Sequence, residues 1–122
     1  MQPRYRLKGP ADFRRVRRTG TSYSHPLFVL VAAASDLPAV RLGVSASRTM
    51  GTAVRRNRAK RRLREAFRPL MSDLAGGWDL VAVARPALLT ADGAAVQSAA
   101  RQLIRRAGLL RSENRERGQH LA

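Results

Sequence analysis

Residues 47–68 read SRTMGTAVRRNRAKRRLREAFR, and the organisation of the chain can be read outward from them. Thr52 is an N-cap candidate, because its hydroxyl can accept from a free amide of the first helical turn. Beyond it Ala59, Leu63, Ala66 and Phe67 recur at three- and four-residue steps, continued by Leu70 and Leu74. That spacing predicts a helix with one buried stripe. Pro69 lacks a backbone donor and clashes with the carbonyl of Glu65, so the helix kinks or ends near Arg68.

Upstream, Val40–Ser47 alternates, with Val40, Leu42, Val44 and Ala46 on one face and Arg41, Gly43, Ser45 and Ser47 on the other. This period of two predicts a strand. Leu27–Ala33 is rich in Val, Leu and Phe and reads as another strand; the Ser35–Pro38 turn between them suggests a hairpin. Met1–Gly9 reads as a basic arm, Pro10 to Gly20 as a short helix carrying Phe13 and Val16, and Thr19–Ser24 as a turn. Downstream, WDLVAVA (Trp78–Ala84) reads as a buried strand, Leu89–Gly93 as a loop and Ala94–Leu110 as a last helix. The order helix, strand, strand, helix, strand, helix predicts an α+β fold in one domain over residues 1–110, with a polar tail at 111–122.

The 122 residues include 24 Lys+Arg against 8 Asp+Glu, a formal net charge of +16. Repulsion on that scale favours a polyanionic partner. Only Lys8 and Lys60 are lysines. Arginine grips phosphates bidentately and stacks on bases, which points to nucleic acid. Without cysteine there is no disulfide framework, thiolate metal site or thiol nucleophile. No apolar run approaches the ~18 residues of a membrane span, and no apolar signal core follows the basic N-terminus, so the expected location is the cytoplasm.

Residues Arg55–Arg64 contain no acid. On a wheel of ~100° per residue with Leu63 inward, Asn57, Arg58, Arg61, Arg64 and Arg68 face outward. Lys60 and Arg62 flank that row, and Arg56 lies nearer the core. Cations at three- and four-residue spacing repel by a few tenths of a kcal/mol per pair. An ordinary solvated face would intersperse acids; this row makes physical sense when phosphates neutralise it.

The same stretch closely resembles the signature of the bacterial ribonuclease P protein component, carried by Gly51, Ala53, Val54, Arg56, Asn57 and Arg58, then Lys60, Arg61 and Arg64. RLKGPADFRRV resembles the family's opening helix, with Arg6, Leu7, Asp12, Phe13 and Val16 in place. Gly20, Phe28, Val29, Arg41, Gly43, Ser45, Ser47 and the WDLVAVARP strand also fit, so the likeness covers about residues 4–108.

The resemblance implies a mixed αβ sandwich, a small sheet packed by three helices with a left-handed βαβ crossover. It implies a protein that joins a catalytic RNA subunit and helps remove the 5′ leader of precursor tRNA by endonucleolytic cleavage, the RNA performing the chemistry with Mg2+ held mainly by RNA phosphates. Arg56, Asn57, Lys60, Arg61 and Arg64 then become RNA-contact residues, with Arg58 and Arg68 added from the outward row. The family's leader cleft maps to Phe13, Arg17 and Val31. Family members often have aromatics at the last two positions, and this chain does not. Phe13 is either a stacking platform or a core residue, Arg17 a guanidinium that stacks or grips phosphate, and Val31 reads as core.

A protein nuclease needs clustered carboxylates around metals or a general acid–base pair. His25 and His120 have no evident partner, and the acids Asp12, Asp36, Glu65, Asp73, Asp79, Asp92, Glu113 and Glu116 form no motif. No catalytic or metal-binding residue is assigned. The competing classes are a structural ribosomal-type RNA-binding protein, a DNA-binding protein and a membrane-surface helix. The helix lacks the preceding helix and tight turn of a DNA reader and the apolar anchors of a membrane binder.

Overall fold

The computed structural model describes residues 5–111. Its elements are α1 (Pro10–Thr19), β1 (Thr21–Ser24), β2 (Phe28–Ala34), β3 (Val40–Ala46), α2 (Ala53–Phe67), β4 (Trp78–Ala84) and α3 (Gly93–Ala107), with 3-10 turns at Arg48–Met50, Arg68–Asp73 and Pro86–Thr90. The strands form one sheet in the order β1-β2-β4-β3. β4 pairs antiparallel with β2 and parallel with β3, so β3, α2 and β4 form a βαβ crossover.

That order corrects the expected hairpin between Leu27–Ala33 and Val40–Ser47. β2 and β3 do not pair; β4 lies between them. WDLVAVA shows no polar–apolar alternation because it is flanked on both edges and, apart from Trp78 and Val83, buried on both faces, the usual position of such a run. The hairpin in the fold joins β1 to β2 instead, which also corrects the turn expected at Thr19–Ser24. The His25 amide donates to the Phe28 carbonyl at 3.0 Å, and the Leu27 amide to His25 Nδ1 at 3.1 Å. Of the expected Leu89–Gly93 loop, Leu89 and Thr90 belong to the Pro86–Thr90 turn, Ala91 and Asp92 lead from it, and Gly93 opens α3.

Two layers of helix cover the sheet. On one face Phe28, Leu30, Leu42, Val44, Leu80 and Ala82 meet the stripe of α2 (Ala59, Leu63, Ala66, Phe67) and the inner side of α3 (Val96, Ala100, Leu103, Ile104, Ala107). Phe28 and Phe67 pack edge to face with ring centroids 5.8 Å apart. Complete burial of side chains such as Leu63 and Phe67 contributes about 1.5–3 kcal/mol each. On the other face α1 lays Val16 over Val31, Ala33 and Val81. The expected arm is tied down at its end: the Leu7 amide donates to the Leu42 carbonyl at 3.0 Å, and the Leu7 side chain is buried.

The local signals act as the sequence suggests. Thr52 Oγ1 caps α2 by accepting from the Arg55 amide at 3.3 Å. Helical geometry ends at Phe67 and Pro69 enters a 3-10 turn. Asp92 caps α3 at the Ala95 amide, and Gly108 closes it in the left-handed region, at φ 68°. The expected tail lies outside the described residues except for its first member, Arg111, which is exposed.

Candidate nucleic-acid interface

α2 is held by its inward stripe, so its remaining positions are set by helical geometry. Asn57, Arg58, Arg61 and Arg68 are exposed, while Arg56, Lys60 and Arg64 are partly buried. Every ion pair among the described residues joins Arg15 or Arg41 to Asp12 or Asp79. None involves α2, so its cations are not neutralised by any carboxylate among the described residues. Arg56 goes further: its Nε is buried without a hydrogen-bond partner, a cost of about 1–3 kcal/mol that an incoming acceptor would relieve. Beside the row, Val54 stands 77% exposed.

Two features of this face escape a wheel. Arg62 looks like a flanking member, but its Nη1 donates to the carbonyls of Leu88, Leu89 and Ala91 at 2.8, 3.3 and 2.6 Å. It ties the Pro86–Thr90 turn to α2 and is not offered to a ligand. Arg6, in contrast, joins the face from a distance. It bridges to Leu42 on β3. Burial, followed by the nearby charge of Arg6, pushes the Arg64 pKa below its ordinary value. Two cations thus crowd one another where an anion would relieve both. Nothing in the local sequence shows Arg6 near Arg64, because the approach depends on the N-terminal segment running along β3.

The residues expected to line a cleft lie on the opposite face of the sheet, with α1. Phe13 is partly buried and its ring sits over Gly43, where any Cβ would overlap it. Arg17 is exposed. Val31 is 5% exposed, packed under Val16, and presents no surface to a base. α1 leaves one cross-strand row of this face uncovered: Ser24, Val29, Val83 and Ser45, in register across the four strands. The two valines and Ser45 are partly buried and Ser24 is exposed. This shallow floor carries no aromatic side chain.

Asp79, Asp12 and His25 have structural partners. Asp79, fully buried, accepts from Arg41 Nε at 2.9 Å and Nη2 at 2.8 Å, and also from Arg15. Burial pushes its pKa up, but the hydrogen bonds from Arg41 and Arg15 outweigh this and hold it below the usual carboxylate range. Asp12 lies 3.8 Å from both Arg15 and Arg41. His25 braces its turn, and His120 lies outside the described residues.

A basic helix on one face of an open αβ sheet, with a short basic helix and a partly buried row on the other, fits a polyanion-binding protein of the αβ sandwich class. The Ribonuclease P family model matches residues 1–108. The ribonuclease P protein component of Herpetosiphon aurantiacus is 42% identical over 109 residues, 89% of each chain, and that of Chloroflexus aurantiacus 39% identical over 117 residues, 95% of this chain and 87% of the other. The solved RNase P protein of Staphylococcus aureus superposes with a TM-score of 0.77 at 30% identity, covering 87% of this chain and 97% of that one; the Thermotoga maritima protein gives 0.72 at 30%, covering 82% and 96%. The chain belongs to the ribonuclease P protein family and is a protein component of that ribonucleoprotein, which sets aside the ribosomal-type reading.

Proposed function

We propose that α2 docks on the catalytic RNA subunit through Arg56, Asn57, Arg58, Lys60, Arg61, Arg64 and Arg68, and that the 5′ leader of precursor tRNA crosses the opposite face between α1 and the open row. The carrying observation is that α2 presents its cations with no carboxylate partner among the described residues. The two faces let one small domain hold catalyst and substrate together, an entropic gain that needs no chemistry from the protein.

On this reading the RNA subunit performs the cleavage. Among the described residues Asp79 and Asp12 are engaged by guanidinium groups, and no three potential ligands cluster. On this reading Mg2+ is held mainly by RNA phosphates, whose repulsion the protein lowers. No described helix is long and apolar enough to cross a membrane; action in the cytoplasm is part of the same proposal. Phe13 and Arg17 remain the leader contacts on α1; Val31 supports them from beneath.

Reconstitution tests the proposal. Added to the catalytic RNA at low magnesium, the protein should accelerate 5′ maturation of precursor tRNA. No acceleration, with the RNA active alone at high magnesium, would refute it.

A further inference from the structure

A second cationic feature lies away from α2. Arg85, just after β4, donates from Nη2 to Ser24 Oγ at 2.9 Å, and Arg106, in the last turn of α3, donates from Nη1 to the Ser24 carbonyl at 2.9 Å. Two guanidinium groups from separate elements converge on one neutral residue. Neither pairs with a carboxylate among the described residues. A cation at a helix C-terminus ordinarily serves that helix's own free carbonyls, yet Arg106 reaches across to the edge of the sheet. Each guanidinium has five N–H donors and gives one hydrogen bond to Ser24, so most of its fork remains available.

The position is distinct from the α2 row. β1 and β3 are the outer strands of the sheet. Arg6, bridged to Leu42 on β3, and Arg64 mark the β3 edge; Ser24, Arg85 and Arg106 mark the β1 edge. Three strand spacings of about 4.8 Å separate those edges by roughly 14 Å, too far for one phosphate to meet both. Ser24 is also the β1 end of the uncovered row that continues through Val29 and Val83 to Ser45.

We propose that Arg85 and Arg106 form a phosphate anchor at the β1 edge, held ready by Ser24, which grips an RNA phosphodiester where a strand leaves the open row. Holding both forks against one serine in advance lowers the ordering cost of binding, and the missing carboxylate leaves their charge for the ligand. The anchor rests on the proposed RNA-binding role. The phosphodiester belongs either to the leader or to the RNA subunit, and the experiment separates these.

The test is a salt titration of two affinities: protein for the RNA subunit, and holoenzyme for precursor tRNA with a long or a truncated leader. The variants are Arg85→Gln/Arg106→Gln and Ser24→Asp; the latter supplies an internal carboxylate to occupy both guanidinium groups. Ser22→Asp, exposed on the same strand, is the control for long-range charge. Losing that one phosphate contact should make the logarithmic salt slope shallower by about 0.7 for single-stranded RNA. A change confined to long-leader substrate assigns the anchor to the leader; a change in subunit binding assigns it to the RNA subunit. Either supports the anchor, provided Ser24→Asp behaves like the double variant and Ser22→Asp does not. Unchanged slopes with both RNAs, or equal effects of the two aspartates, overturn it. If the double variant melts early, Ser24→Asp alone decides, since it keeps both guanidinium groups. Failure of the wild-type protein to bind either RNA would instead sink the proposed function itself.

Discussion

Arg41 on β3 and Asp79 on β4 are register partners in the sheet, and their side chains meet in a two-point grip, Nε to Oδ1 at 2.9 Å and Nη2 to Oδ2 at 2.8 Å. Arg15 of α1 reaches the same carboxylate. One buried acid therefore joins the two parallel strands to the helix above them and fixes how α1 lies on the sheet. The grip has a second consequence: hydrogen bonding to Asp79 raises the Arg41 pKa, keeping the pair ionised across any working pH.

Replacing Asp79 with Asn should therefore destabilise the domain, leaving Arg41, only 19% exposed, with the longer 3.8 Å contact to Asp12 as its remaining counter-charge. Breaking a buried pair on one side costs about 3–5 kcal/mol, and because Arg15 can swing into water the lower end is expected. The acid limb should change too. The Asp79 pKa is lowered in the fold, so its contribution is complete above the unfolded value near 3.9 and is lost as pH falls through the folded one. Denaturant unfolding of wild type and Asp79→Asn between neutral pH and pH ~3 checks this; parallel acid limbs would exclude Asp79 as the source.

Arg61→Ala/Arg64→Ala should leave the fold intact, since neither side chain has an ion-pair partner among the described residues. Affinity for the catalytic RNA should fall. Its salt slope should become shallower by about 1.4–1.8 for two phosphates, across the single-strand and duplex limits. Filter binding across a potassium chloride series measures both. An unchanged slope would remove these residues from the interface.

Adjacent residues should behave in opposite ways. Arg62→Met withdraws the donor from the carbonyls of Leu88, Leu89 and Ala91 and should cost about 1–3 kcal/mol of stability, with little change in salt slope. Arg61→Met, on the exposed side, should cost under about 0.5 kcal/mol and still lose RNA affinity. Thermal melting beside RNA titration of both variants distinguishes a structural arginine from a binding one.

That contrast also marks how far the sequence can be read. The α2 stripe, its Thr52 cap, its end before Pro69 and the strand at Trp78–Ala84 follow from local periodicity and backbone chemistry, which neighbouring residues carry. The order of strands does not. Val40–Ala46 pairs with a strand reached only after a helix, and nothing within either run says which edge it takes. Thr21–Ser24 shows no apolar alternation because three of its four residues are exposed, so a strand there is visible only through its pairing with β2. Of the outward α2 row, the exposure of Asn57, Arg58, Arg61 and Arg68 follows from spacing, whereas Arg64, which the wheel places on the same face, is partly buried. Arg62, Arg6 and the Arg41–Asp79 grip were not legible, because each depends on a partner dozens of residues away.

Phe13 decides whether α1 contributes stacking to the leader path. Its ring rests on Gly43 and remains partly exposed, the geometry of a side chain anchored on one side and open on the other. If it stacks on a leader base, Phe13→Ala should lose about 1–3 kcal/mol of binding for long-leader precursor tRNA and nothing for a truncated leader, while melting falls only modestly. If it serves packing alone, melting falls and both substrates weaken together. Gly43→Ala provides the complementary test: the new methyl group overlaps the ring and must displace it, so long-leader affinity should drop although Gly43, buried beneath Phe13, cannot touch RNA. Equal affinity of wild type and Gly43→Ala for the long leader, with Phe13→Ala also unchanged, would leave the α1 face to Arg17 and the open row.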